Sequence, residues 1–199
     1  TSNRRPNRFA QASAVEHPLL KLEDFLAKNG YDIGYGVYPG IVIKAAKLRS
    51  QKGPEVYGTW VEGQILSWNK YQSLDIASGE QNPEQKADYR TTADGKVTNK
   101  GENVEDYSRL MMEKHGKCEW KPRGSIYLEL FRCEDKKTEI QPDTIVVLDM
   151  SQSSLNKWNQ YISQCRLSGK IGEQVHIDVT ELSSKTGNTW NAAQFSSLD

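Results

Sequence analysis

The chain has 199 residues, 26 basic and 26 acidic side chains, 36% hydrophobic residues and a mean hydropathy of −0.73. That length supports one domain with appendages around one modest core. Charges that cancel leave only their local distribution to speak for or against nucleic acid, and no apolar run approaches the ~18–20 residues of a membrane span, so no membrane partner is expected.

The three cysteines, Cys118, Cys133 and Cys165, form no even disulfide framework and no paired C-x-x-C spacing, which suits a reducing, cytoplasmic compartment. No signal-peptide apolar segment precedes Pro18, and the missing initiator methionine is expected to reflect processing or trimming.

Residues 1–14, TSNRRPNRFAQASA, read as a flexible basic arm: Arg4, Arg5 and Arg8 carry the charge and Pro6 breaks a helix. The arm is either a solvated tail or a phosphate-contacting segment. HPLLKLEDFLAKNG, 17–30, reads as a short helix, with Pro18 at its first position and Gly30 just past its end. YDIGYGVYPG is a loop, and IVIKAAKLRS, 41–50, a strand. TWVEGQILSWNKYQSLDI, 59–76, continues as a long strand or bent pair, with Gly63 marking a bulge or sharp bend.

Residues 77–124 change character. Gly, Asn, Lys and Glu dominate this polar insertion, with a short helix expected within 104–116 and ended by Gly116. IYLELFRC, 126–133, and TIVVLDM, 144–150, resume strand character. MSQSSLNKWNQYISQCRLSG then reads as a helix. Ser151 or Ser153 caps it, Leu155, Trp158, Ile162 and Cys165 form one apolar stripe, and Gly169 ends it. QVHIDVTEL and NTWNAAQFSSL form the arms of a closing hairpin around SSKTGN.

Three strand units, a helix and a two-strand hairpin are the order of an OB-fold, whose helix closes one end of the barrel. The expected architecture is therefore mainly β: a five-stranded OB-fold barrel with a capping helix between strands 3 and 4, plus an N-terminal helix and a long polar insertion. Residues 15–199 would form this single domain, with 77–124 inserted.

The run VLDMSQSSLNKWNQYI, followed by VHIDVTELSS and a closing strand, resembles the C-terminal half of phage-encoded OB-fold single-stranded DNA-binding proteins. YPGIVIKAAKLRS with GTWVEG resembles their N-terminal strands. The resemblance covers the strand and helix segments and excludes the arm, the first helix and most of the insertion. It implies a non-enzymatic protein that coats single-stranded DNA, or RNA, with little sequence preference during viral DNA replication or recombination in the host cytoplasm. A homodimer or a replication-protein partner would fit that role. The chain departs from the family in two places. Some members carry several cysteines in the central insertion, whereas here only His115 and Cys118 lie close together. Many single-strand binders end in an acidic tail, whereas this chain ends QFSSLD.

Single-strand binding needs aromatic faces for bases and cations for phosphates. Lys44, Lys47, Arg49 and Lys52 stud the first strand and its turn, with Lys47 and Arg49 on one face and Lys44 on the other if 41–50 is one strand. Ordinary solvent-exposed lysines are the alternative. Trp60 and Trp68 share parity opposite Val61 and Ile65, so both would point away from the core, with Tyr71 beyond them. A bend at Gly63 would instead send one tryptophan inward. Tyr127 and Phe131 form an aromatic face opposite Ile126, Leu128 and Leu130, beside Arg132 and downstream of Lys121 and Arg123. Trp158 belongs to the core, and Trp190 to either surface or core.

No metal, cofactor or catalytic site is expected. His115 and Cys118 lack a second ligand pair, and no P-loop, nucleophile elbow, zincin or dinucleotide fingerprint is present. Other classes remain open: a carbohydrate- or peptide-binding barrel, which salt would hardly affect, and a virion structural protein whose aromatics make subunit contacts.

Overall fold

A computed structural model describes residues 38–76, 83–169 and 174–198. The basic arm, the 17–30 helix and most of the loop before Gly40 lie outside the described residues. The strands are β1 (Gly40–Lys44), β2 (Lys47–Ser50), β3 (Val56–Gly58), β4 (Trp60–Ile76), β5 (Thr91–Thr92), β6 (Cys118–Cys133), β7 (Ile145–Met150), β8 (Gln174–Ser183) and β9 (Thr189–Ser197). The helices are α1 (Pro83–Asp88), α2 (Val104–His115) and α3 (Gln152–Ser168). None of the described helices is long and apolar enough to cross a membrane.

The chain divides into two compact units, one holding the described residues up to Asn69 and from Ser125 onward, the other spanning Lys70–Gly124. In the larger unit the strands lie in the order β3-β2-β1-β7-β6-β4-β8-β9 and curl as an open sheet. The architecture is mainly β, as expected, but nine strands among the described residues replace the expected five-stranded barrel.

Much of the difference arises at the front of the chain. Residues 41–50 are not one strand. Ala45 and Ala46 take φ values of 51° and 58°, the left-handed pair that a two-residue hairpin turn demands. The chain therefore folds back, with Ile41 opposite Ser50 and Lys44 opposite Lys47. β1 also pairs in parallel with β7, Gly40 opposite Val147 and Ile41 opposite Leu148.

β4 pairs antiparallel with β8 from Trp60 opposite Asp178 to Gln64 opposite Gln174, and β8 pairs with β9 along its length. Gly63 lies tight against β6. A Cβ there would stand 2.8 Å from the backbone carbonyl oxygen of Glu129. Glycine is required by proximity at this position.

The main core gathers Ile41 and Leu48 from the hairpin, Val61 and Ile65 from β4, and Ile126, Leu128 and Leu130 from β6. Trp158 of α3 is fully buried among Trp68, Tyr161 and Phe195 at ring separations of 5.6, 5.5 and 5.2 Å. The expected stripe of Leu155, Trp158, Ile162 and Cys165 is buried against this core, and Gly169 ends the helix at φ 68°. Ser151 occupies the cap position without a side-chain cap bond. The neighbouring serines tie the helix to β9 instead: Ser154 Oγ accepts from the Ala193 N–H at 3.0 Å, and Ser153 Oγ from the Trp190 indole N–H at 3.0 Å.

The smaller unit has its own core of Leu74, Ile76, Tyr107 and Met111. The expected helix in 104–116 is α2, capped by the Asn103 side chain on the Asp106 N–H and ended by Gly116 at φ 75°. Asp88 joins α1 to α2, accepting from Lys114 Nζ at 2.7 Å and facing His115 Nε2 at 2.8 Å. The Tyr107 hydroxyl donates to the Asp88 carbonyl at 2.7 Å, and Arg90 lies over the Tyr107 ring at 4.8 Å while pairing with Glu102. The insertion is thus a folded unit rich in polar contacts, which explains its weak apolar periodicity.

Candidate functional site

The hairpin turn brings its basic residues to one face. Residues directly opposite in an antiparallel pair project to the same side. Ile43 opposite Leu48 faces the core; Lys44 opposite Lys47 and Val42 opposite Arg49 therefore face away from it. The single-strand expectation put Lys44 on the other side, and the turn at Ala45–Ala46 corrects it. Lys44 and Lys47 are exposed at the tip, and Arg49 donates from Nε to the Lys44 carbonyl at 3.1 Å, bracing the turn. Lys52 lies in the turn beyond the far end of β2, roughly 16 Å of extended chain from Lys47.

Glu134 connects this tip to the start of β4. Its carboxylate accepts from the Thr59 backbone N–H and, at 2.8 Å, from the Thr59 hydroxyl. The Thr59 backbone N–H, then its hydroxyl, hold the Glu134 carboxyl below the ordinary range, and the positive charge of Lys47 adds to them.

Trp60 follows Thr59. It points away from the core, half-buried, and stacks on His176 with ring centroids 5.2 Å apart and planes tilted by 30°. His176 Nδ1 lies 3.0 Å from Glu62 Oε1, and its Nε2 lies 2.9 Å from Asp178 Oδ1. Arg132 closes the group from β6 by donating to the other Glu62 oxygen. Glu62 is only 6% exposed, covered by these partners. A buried carboxylate needs such pairing, because desolvating it alone is costly.

The remaining expected residues separate from this group. Trp68 packs half-buried against the main core, edge-on to Trp158, so of the two tryptophans only Trp60 stays outward. Alternation misleads here because Ile65 and Trp68, of opposite parity along β4, both pack against the main core. Tyr127 is 1% exposed and meets Tyr38 edge-on at 6.5 Å, so it offers no open face; Phe131 is half-buried. Tyr71 belongs to the smaller unit, where Lys121 pairs with Asp75 at 2.6 Å and Arg123 donates to Ser73 Oγ at 3.1 Å. Trp190 is 41% exposed with its indole N–H held by Ser153.

His115 and Cys118 also part, the ring going to Asp88 and the thiol to the Ser108 carbonyl at 3.5 Å. Among the described residues no group of three or more His, Cys, Asp or Glu is placed to hold a metal ion. His176, Glu62 and Asp178 are the members of the outward cluster that sequence reasoning missed. The alternation V-H-I-D-V sets His176 and Asp178 on one face of β8, but Glu62 joins them only through the β4–β8 register. In comparison with known proteins, the chain matches no family model, no curated protein and no solved structure.

Proposed function

We propose that this chain binds single-stranded DNA with little sequence preference, using Trp60 as a stacking platform and Lys44, Lys47 and Arg49 as phosphate contacts. The observation that carries the reading is the shared outward face of the three cations, together with an outward, ring-stacked tryptophan at the start of β4. Stacking and phosphate contacts carry no base code, so such a surface accepts any sequence.

The strand order supports an OB-fold lineage. Within the nine-stranded sheet, β4 is flanked by β6 and β7 on one side and by β8 and β9 on the other. Counted along the chain, these are the first strand in the middle, the second and third to one side, and the fourth and fifth to the other. α3 falls between the third and the fourth, as the OB circuit requires. On this reading the β1–β2–β3 segment is an N-terminal extension of that circuit, and Lys70–Gly124 an insertion between its first two strands. Replication or recombination of viral DNA is the setting that fits such a protein.

Titration of intrinsic tryptophan fluorescence with oligo-dT at stepped salt tests the reading. Trp60→Ala should weaken binding by ~1–3 kcal/mol, the size of one stacked base. Replacing Lys44, Lys47 and Arg49 together by Ala should flatten the salt dependence by about 2 in log–log slope, at ~0.7 per single-strand phosphate contact. The absence of both quenching and a gel shift at low salt overturns it. Oligo-dT binding that persists unchanged at high salt leaves base stacking in place and overturns the phosphate role of the three cations.

A further inference from the structure

Both ring nitrogens of His176 face carboxylate oxygens, Glu62 Oε1 at 3.0 Å and Asp178 Oδ1 at 2.9 Å. An ionised carboxylate only accepts hydrogen bonds, and a neutral imidazole has a single N–H to donate. The two contacts are satisfied together only by the imidazolium form. That cation lies against one face of the Trp60 indole, where the ring quadrupole attracts it.

We propose that His176 is the positioning residue of the Trp60 platform: protonated, it locks the indole from one side so that the opposite face receives one base of a single strand. The inference rests on the DNA-binding reading above and adds pH control to it. Loss of the proton leaves a nitrogen lone pair opposed to a carboxylate, so one of the two contacts must break and the ring beneath Trp60 is freed.

The charges around His176 reinforce the effect. Glu62 faces it from β4, Asp178 from its own strand, and Arg132 of β6 pairs with Glu62. The β9 residues opposite His176 and Asp178, Ser196 and Gln194, are uncharged. With imidazolium the two carboxylates and two cations balance; with neutral imidazole the cluster turns negative and repels phosphate.

Two measurements on the full chain test the proposal, the first of them independent of the DNA-binding reading. First, emission of the free protein is followed from about pH 5.5 to about pH 8. Protonated imidazole quenches a neighbouring indole more than neutral imidazole does. Emission should therefore rise with pH, and both His176→Gln and Trp60→Phe should remove that rise. Second, oligo-dT affinity at fixed low salt should fall about two- to fivefold over the same range, the weight of one exposed cation–π contact. His176→Gln should bind at the weaker level throughout. His176→Arg, a planar cation that still pairs with both carboxylates, should bind tightly throughout. An emission profile flat in the wild type, or unchanged by His176→Gln, overturns the proposal. So does an oligo-dT affinity independent of pH. A His176-dependent emission change without any oligo-dT binding supports the ring coupling and overturns the DNA-binding reading.

Discussion

Gly63→Ala isolates the contact that sets the spacing of the two central strands. The added methyl would sit 2.8 Å from the Glu129 carbonyl oxygen and 3.3 Å from its carbon, whereas ordinary contact begins at 3.4 Å. The clash is with backbone, so no rotamer relieves it. β4 and β6 would have to part by about 0.6 Å while Val61, Ile65, Leu128 and Leu130 hold them in one core. Overpacking of this kind costs ~1–3 kcal/mol. For a chain of this size, roughly 2–4 °C per kcal/mol, the midpoint should fall by roughly 2–12 °C. Gly40→Ala is the control. Its Cβ would come nearer still, 2.3 Å, but to Oε1 of the Gln51 side chain, which can swing away. That substitution should stay within about 0.5 kcal/mol of wild type. Thermal unfolding followed by circular dichroism compares the two. A Gly63→Ala protein as stable as wild type, or a Gly40→Ala protein that loses more, would refute the close β4–β6 approach.

The smaller unit should be acid-sensitive through Asp88, whose carboxyl is held below the ordinary range chiefly by its bond from Lys114, with His115 adding to it. A depressed carboxylate stabilises above its unfolded value and loses that contribution as pH falls through the folded one. Emission of Trp120, the single tryptophan of 70–124, should therefore report loosening below about pH 4. Asp88→Asn should already be loosened at neutral pH and show a shallower acid transition. At the hairpin tip, Ala45→Asn with Ala46→Gly places residues that tolerate positive φ where alanine is strained, and should stabilise by about 1 kcal/mol. Chemical denaturation measures the gain, and unchanged oligo-dT affinity would show that the turn serves geometry alone.

Long-range pairing separates what was legible from what was not. α2 and α3 could be read to within a few residues, because an apolar stripe and an αL glycine are local signals: Leu155, Trp158, Ile162 and Cys165 with Gly169, and the helix closed by Gly116. The β8–β9 hairpin was likewise written in its alternation and turn. The Ala45–Ala46 turn was invisible, because alanine carries no turn signature and takes positive φ only under the constraint of the paired strands. Parity fails for Trp68 and Tyr127: Ile65 and Trp68, of opposite parity, both pack against the main core, and β6 is buried on both faces across Ile126–Leu130. The Glu62–His176 contact joins residues 114 apart and exists only through register.

The β1–β2 tip collects two local costs in one place. Ala45 and Ala46 sit in the left-handed region, and Lys44 lies directly opposite Lys47, an arrangement that destabilises a strand pair. Elsewhere the same chain pairs its charges with care, as in Arg132 with Glu62, Lys114 with Asp88 and Lys121 with Asp75. Sequences agree with their folds at most positions and break local rules chiefly where function intervenes. An anion arriving from outside neutralises both lysines at once and removes the second cost, so stability of the free protein and affinity for a polyanion oppose each other here. Lys44→Glu separates them: it converts the repulsion into a cross-strand ion pair and should stabilise the free protein by ~0.2–1 kcal/mol. The same change should weaken oligo-dT binding and reduce its salt dependence, since a phosphate contact is replaced by a repulsion. A variant that gains stability and binds as wild type does would remove Lys44 from the interface and leave Lys47, Arg49 and Trp60 to carry it.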